Sequence, residues 1–195
     1  MQAVHMFCFK NRWLFCSILV LAAGAGGILW QPVHPPLLRD WSDVLESLSA
    51  WGLLLMGLGL RFWATLYIGG NKSKALVALG PYSVCRNPLY IGNLVIFLSI
   101  GIFLRSWIFL ASVAVVAVFY HLFVIRYEEA NLRRRLGPAY DEYRQRVPAW
   151  WPNFSLYRDS VHIRVKTKNL LVEARRTAAW IIVPFAIEFV RHEIW

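Results

Sequence analysis

The residues best suited to chemistry fall in two polar clusters. The first is Gly80-Pro81-Tyr82-Ser83-Val84-Cys85-Arg86-Asn87-Pro88-Leu89-Tyr90-Ile91-Gly92, where prolines and glycines fix the backbone around an arginine and an asparagine. The second is Glu128-Glu129, followed one turn later by Arg133-Arg134-Arg135. Brought together, the backbone amides around Gly80 to Tyr82, the side chains of Arg86, Asn87 and Tyr90, and two carboxylates would line one pocket. It would offer donors to an anionic group, aromatic faces to a base or a sulfonium, and carboxylates to hydroxyls or amines. A zwitterionic nucleotide cofactor with a cationic centre suits that inventory better than a metal ion, for which the ligands are lacking. Taken alone, each cluster has a plainer reading: the first as a turn before a helix, the second as a solvated helix face with i,i+4 ion pairs.

Composition says where such a pocket would sit. Of 195 residues, 58% are hydrophobic and 16% charged, against about a quarter charged in soluble proteins. This balance indicates an integral membrane protein. Ten tryptophans and a formal charge of +10 fit that class, since indole rings favour the headgroup layer and basic residues gather on the cytoplasmic side. Nucleic-acid binding is not expected, because the basic residues flank apolar runs and no nucleic-acid module is present. Cys8, Cys16 and Cys85 show neither paired spacing nor histidines at metal-ligand distance, so no disulfide framework or zinc site is expected. Cys85 is either a reactive thiol or, more simply, a small filler residue.

The elements that must hold the clusters can be read in order. Lys10 and Arg12 precede an apolar run from Trp13 to Trp30, close to the ~20 residues that cross a bilayer. Its small-residue stretch Ala22 to Gly27 also resembles a signal-peptide cleavage region, but an uncleaved first span is preferred because the run continues to Trp30 and no soluble domain follows. Pro32, Pro35 and Pro36 form an extended loop. Ser42 can cap a second helix, with Asp43 and Glu46 in its first turn, running to about Ile68. Gly52, Gly57 and Gly59 would let a neighbour approach it closely. Arg61 must either snorkel or face a polar cavity. Gly69 to Lys74 is a turn. From Tyr90 to Leu104 the chain is apolar for about fifteen residues, roughly 22 Å of helix. Arg105-Ser106 interrupt it, and a second apolar run extends from Trp107 to Ile125. The pair reads as a helical hairpin whose short arm draws the first cluster toward the bilayer and beside Glu128 and Glu129.

Charge sets the expected orientation. With four spans, Lys10, Arg12, Lys72, Lys74, Arg86 and the arginines after Ile125 share one side, and Arg39 and Arg105 take the other. The positive-inside pattern then places both termini and the first cluster in the cytoplasm. The helix carrying Glu128 and Glu129 should end at Gly137-Pro138. Tyr140, Tyr143, Val147-Pro148 and Trp150-Trp151-Pro152 read as an amphipathic aromatic stretch suited to the interface. His162 to Arg176 is basic, and Ala178 to Val190 is apolar but interrupted by Pro184 and Glu188, which suggests an interfacial or re-entrant helix. The expected fold is an all-α integral membrane protein with about four transmembrane helices, the third and fourth forming a hairpin, and a cytoplasmic C-terminal helical extension.

Gly80-Pro81-Tyr82, Arg86-Asn87-Pro88-x-Tyr90-x-Gly92, Glu128-Glu129-x-x-Leu132, Gly137-x-x-Tyr140-x-x-Tyr143 and Val147-Pro148 with Pro152 resemble, in order and spacing, the isoprenylcysteine carboxyl methyltransferase family. More broadly they are similar to the phospholipid N-methyltransferases. The likeness runs from about Leu53 to Phe154. It divides the chain into a methyltransferase-like membrane domain, residues 1–154, and a basic, interfacial extension, residues 155–195, of unknown role. The resemblance implies S-adenosylmethionine as cofactor and methyl transfer to a lipid or lipidated acceptor entering from the bilayer, with no obligate protein partner. It implies that Gly80, Pro81, Tyr82, Asn87 and Tyr90 border the cofactor. Glu128 and Glu129 would hold its polar part or the acceptor, and Arg86 would balance an acceptor carboxylate. Better-known members carry His where this chain has Asn87, which cannot titrate near neutrality. A carboxylate acceptor needs only positioning and water exclusion, whereas an amine or hydroxyl would need Glu128 or Glu129 as general base. Two other readings share the architecture. One is an NADPH-dependent membrane reductase of the sterol type, whose further tail motifs this chain lacks; the other is a non-catalytic scaffold, which the Asn87 substitution motivates.

Overall fold

A computed structural model describes residues 22–24, 26, 41–68, 76–159, 165 and 167–194, and every regular element among them is helical. Of the expected first span only residues 22–24 and 26 are described; the proline loop and the turn at Gly69 to Lys74 lie outside the described residues. Helix α1 is Trp41–Ile68, α2 the short Pro81–Val84, α3 Pro88–Phe103 and α4 Trp107–Phe119. A π-helical segment, Tyr120–Ile125, joins α4 to α5, Arg126–Leu136. Helix α6 is Pro138–Arg146, a 3-10 turn follows at Phe154–Leu156, and α7 is Thr167–Ile194. Two of the described helices are long and apolar enough to cross a membrane, Trp41–Ile68 and the continuous Trp107–Leu136; α3 is apolar but shorter.

Where the sequence leads one to expect an interfacial or re-entrant helix, α7 is one continuous helix that also takes in part of the basic stretch before it. It runs 28 residues with Pro184 inside it. A proline removes one backbone hydrogen bond but need not end a helix whose flanks are packed, and Pro184 is fully buried.

The described residues form two compact units. One gathers those up to Leu54, Leu94–Glu129 and those from Ile181 on; the other gathers Leu55–Asn93 and Ala130–Trp180. In the first, the chain turns between α3 and α4 at Leu104-Arg105, with Arg105 at φ 48. The Arg105 guanidinium reaches Asp43 Oδ1 at 2.6 Å and Glu46 Oε2 at 2.8 Å. Those acids therefore bind an arginine as well as sitting in the opening turns of α1. Ser106 caps α4 by accepting from Phe109 N. Gly101 lets α4 in: a Cβ there would fall 2.3 Å from Leu110 Cδ2. Trp51 packs edge-on to Phe103 at 5.3 Å and meets Phe185 of α7 at 5.4 Å.

The second unit is built around buried tyrosines. Ala64, Tyr67 and Tyr82 form one core, with Trp63, Val77 and Leu89 against it. Tyr140, Tyr143 and Val147 form another, packed by Leu76, Ala78, Leu132 and Leu136. Tyr140 and Tyr143 thus lie in a protein core rather than at an interface. The stretch has the period of an amphipathic helix, and its aromatic face packs on this core. Two Gly-Pro pairs start helices in the same way. Gly80 (φ 56) precedes α2 and Gly137 (φ 58) precedes α6, each with proline at the first helical position.

Candidate active site

The segment from Gly80 to Pro88 is held from beneath and from the side within the second unit. Gly80 lies flat on the Tyr67 ring: a Cβ there would be 2.3 Å from Tyr67 Cζ. Tyr67 in turn donates its hydroxyl to Asp159 Oδ1 at 2.6 Å, and Tyr157 donates to the other oxygen at 2.8 Å. Gly80 N donates to Arg158 O at 2.7 Å, and Arg158 N donates to Ser83 Oγ at 2.9 Å. Tyr143 O–H donates to Tyr82 O, and Asn153 N donates to Val84 O. The amides of Gly80, Tyr82 and Ser83 all donate within the protein, the last two to Leu79 O and Gly80 O. The glycine of this motif therefore serves ring packing and a positive φ, and its amide is committed before any ligand arrives.

Cys85, Arg86 and Asn87 fasten the segment to the end of α6. Arg86 Nη1 donates to Arg144 O at 2.7 Å and Val147 O at 3.0 Å, placing a cation on the carbonyls of a helix C-terminus. Arg86 N donates to Pro148 O. Asn87 Nδ2 donates to Ala149 O at 3.0 Å. Cys85 Sγ lies 3.3 Å from Ala149 O, and burial pushes its thiol pKa up against the opposing pull of the Asn87 N–H and the Arg86 charge. The Asn87 carbonyl accepts from Tyr90 N and Ile91 N, opening α3 with Pro88 at its first position.

An open cleft of about 580 Å³ borders this junction, lined by Arg86, Arg144, Arg146, Pro148, Trp151 and Asn153, among others. That volume lies within the ~300–1,000 Å³ typical of small-molecule sites. Its arginines can pair with a carboxylate, and Trp151, 87% exposed, offers a ring face to a base or a cation. The donor set therefore fits the carboxylate and the aromatic part of a nucleotide cofactor. A second hollow of about 480 Å³ lies between Arg86, Arg133, Asp141 and Arg144.

Gly80, Pro81, Tyr82, Arg86, Asn87 and Tyr90 are thus gathered in one unit. Glu128 and Glu129, half-buried, belong to the other, directly after the π-helical segment. Such segments often occur beside functional residues because the extra residue per turn re-aims the side chains that follow. Arg133, Arg134 and Arg135 are exposed, in keeping with the plainer reading of that run, and Arg133 pairs with Asp141 of α6 at 2.9 Å.

Arg61 does not snorkel. It is 9% exposed, and its Nε and Nη2 both lie 2.8 Å from Oε1 of Glu173 on α7. Its Nη1 donates to Asn93 Oδ1. Asn93, Asp159 and Glu173 escaped the sequence reading. The available signal was Glu173, a single acid within the basic stretch His162 to Arg176. Of the three glycines of α1, Gly57 meets a neighbour, its carbonyl lying 3.0 Å from a Cβ built at Gly92, whereas a Cβ at Gly52 or Gly59 would meet no atom of the described residues within 4 Å.

The profile of the phospholipid methyltransferase family matches residues 45–139, a segment that contains both polar clusters and ends before α7. The chain is 34% identical over 184 residues to the nickel-cobalt-cadmium resistance protein NccN of Alcaligenes xylosoxydans xylosoxydans, covering 92% of this chain and 82% of that one. It is 38% identical over 180 residues to the cobalt-zinc-cadmium resistance protein CzcN of Cupriavidus metallidurans, covering 87% and 78% respectively. No solved structure matches it. With two apolar helices of spanning length and both polar motifs inside the matched segment, the chain is a membrane protein of the phospholipid methyltransferase family and a relative of these two resistance proteins.

Proposed function

We propose that the protein is a membrane-embedded methyltransferase that uses S-adenosylmethionine and modifies a lipid-like or lipidated acceptor. The observation that carries this reading is the family match over residues 45–139, which takes in both Gly80–Gly92 and Glu128-Glu129. When bound, the cofactor supplies a methyl group on a sulfonium. Arg86, Arg144 and Arg146 hold a carboxylate in the cleft, and the rings of Trp151 and Tyr90 face the base or the cationic centre. Gly80, Pro81 and Tyr82 act by fixing the loop that presents Arg86. Glu128 and Glu129 bind hydroxyls or take the proton of an amine acceptor. A carboxylate acceptor arrives already ionised, so alignment and exclusion of water suffice and the lack of an imidazole at Asn87 costs nothing. The α3–α4 pair forms a hairpin in a multi-pass protein whose first cluster faces the cytoplasm, as the distribution of basic residues supports.

The names of the relatives extend the proposal: methyl transfer to a membrane component would serve tolerance of heavy-metal cations. The test is incubation of the purified protein with methyl-labelled S-adenosylmethionine and native membranes, followed by identification of the labelled species. Label in the lipid or lipoprotein fraction is expected. A folded sample that binds no cofactor would overturn the reading.

A further inference from the structure

We infer that the Arg61–Glu173 ion pair is a positioning device that fixes the first turns of α3, so that the C-terminal helix, outside the family-matched segment, belongs to the machinery of the site. Four observations converge on it. Glu173 is 3% exposed and holds both Nε and Nη2 of Arg61 at 2.8 Å. The remaining nitrogen of that guanidinium donates to Asn93, one residue beyond Gly92. Gly92 is pressed against the same side chain, since a Cβ there would lie 2.7 Å from Arg61 Cγ and 3.0 Å from Gly57 O. Arg176 Nη1 stands 3.7 Å from the other oxygen of Glu173, on the solvent side. The last glycine of the Asn87-Pro88-x-Tyr90-x-Gly92 motif is therefore required by Arg61 and the crossing of α1 with α3.

Stability alone does not account for this arrangement. A buried ion pair rarely outperforms apolar residues of the same volume, because desolvating both charges cancels most of their attraction. What the pair adds is direction. The planar guanidinium has its three nitrogens fixed in a fork; Glu173 holds Nε and Nη2, which turns Nη1 toward Asn93. Carboxylate, guanidinium and amide thus form a chain from α7 through α1 to α3, ending one turn from Tyr90. Arg61 and Glu173 touch neither cleft and are positioning residues.

The effect of this ion pair on cofactor affinity rests on the proposed function. The test uses the full chain in lipid nanodiscs, comparing wild type, Glu173→Gln, Glu173→Asp and the double variant Arg61→Met/Glu173→Met. Hydrogen exchange is followed in peptides covering Asn87–Asn93, with α6 as internal reference. In Glu173→Gln and in the double variant, exchange at Tyr90 and Ile91 should rise about tenfold while α6 is unchanged, and Glu173→Asp should recover part of the protection. S-adenosylmethionine affinity should fall about tenfold in parallel. The double variant buries no unpaired charge, so it folds even if Glu173→Gln does not. Unchanged exchange at Asn87–Asn93 would overturn the inference, as would a uniform rise through α6, which marks general loosening. If the wild type binds no cofactor, the methyltransferase reading fails while the exchange result still decides this one.

Discussion

Tyr143 of α6 donates its buried hydroxyl to the backbone carbonyl of Tyr82 at 2.8 Å. This bond joins the two tyrosine cores of the second unit, one behind the Gly-Pro-Tyr turn and one beneath α6. Replacing Tyr143 by Phe leaves the ring in place and removes the donor, so the Tyr82 carbonyl loses this buried hydrogen bond. The expected cost is about 1–3 kcal/mol, read as a lower midpoint in thermal unfolding. A Tyr143→Phe protein that melts with the wild type would show that water reaches this carbonyl.

Gly80 should tolerate substitution far less well. Alanine at φ 56 and ψ −130 takes a backbone conformation that residues with a Cβ rarely adopt, and its Cβ would lie 2.3 Å from the Tyr67 ring, which is itself anchored to Asp159. Strain and overpacking together cost about 3 kcal/mol or more. Gly137→Ala is the control, because it shares the positive φ but its Cβ would meet no atom of the described residues within 4 Å. It should lose about 1–3 kcal/mol from backbone strain alone. The difference between the two melting shifts isolates the contact with Tyr67.

These two positions show what the chain discloses. Gly80-Pro81 and Gly137-Pro138 mark helix starts because proline and positive-φ glycine leave few other options, and the apolar runs at Trp41–Ile68 and from Trp107 onward declare their length directly. The turn at Arg105-Ser106 was legible for the same reason. The partners of Arg61 were not, because Asn93 and Glu173 stand 32 and 112 residues away and nothing local distinguishes them. Arg86 and Asn87 stood out as candidates, yet their bonds to the carbonyls of residues 144–149 depend on tertiary packing. The persistence of α7 through Pro184 likewise follows from burial, which sequence pattern reports poorly.

Cys85 should make the protein sensitive to alkaline conditions. Its thiol is 1% exposed, and burial raises its pKa above the ordinary 9.0. The folded value lies above the unfolded one, so the contribution to stability is complete below about pH 9 and is lost as pH climbs through the folded value. In a background with Cys8 and Cys16 replaced by serine, maleimide should label the native protein slowly at neutral pH and the unfolded chain readily. The stability gap between this background and its Cys85→Ala derivative should narrow above about pH 9. Rapid native labelling at pH 7 would instead mark Cys85 as a reactive thiol.

Asn87 stands at the position where the resemblance to the carboxyl methyltransferases leads one to expect histidine, and its role is either structural or titrating. Here its amide donates to Ala149 O at 3.0 Å while its own carbonyl opens α3. Aspartate keeps the size and the capping preference but cannot donate, so Asn87→Asp sets a carboxylate oxygen against a carbonyl oxygen and should cost about 1–3 kcal/mol. Histidine retains an N–H for Ala149, so Asn87→His should melt close to the wild type and keep methyl transfer, should the proposed activity hold. Thermal unfolding and labelled-methyl incorporation, measured on both variants, separate the possibilities. If Asn87→Asp is as stable as the wild type, the bond to Ala149 is not what holds the segment. If Asn87→His alone gains turnover that titrates near neutrality, an imidazole base serves a reaction that the native residue performs by alignment alone.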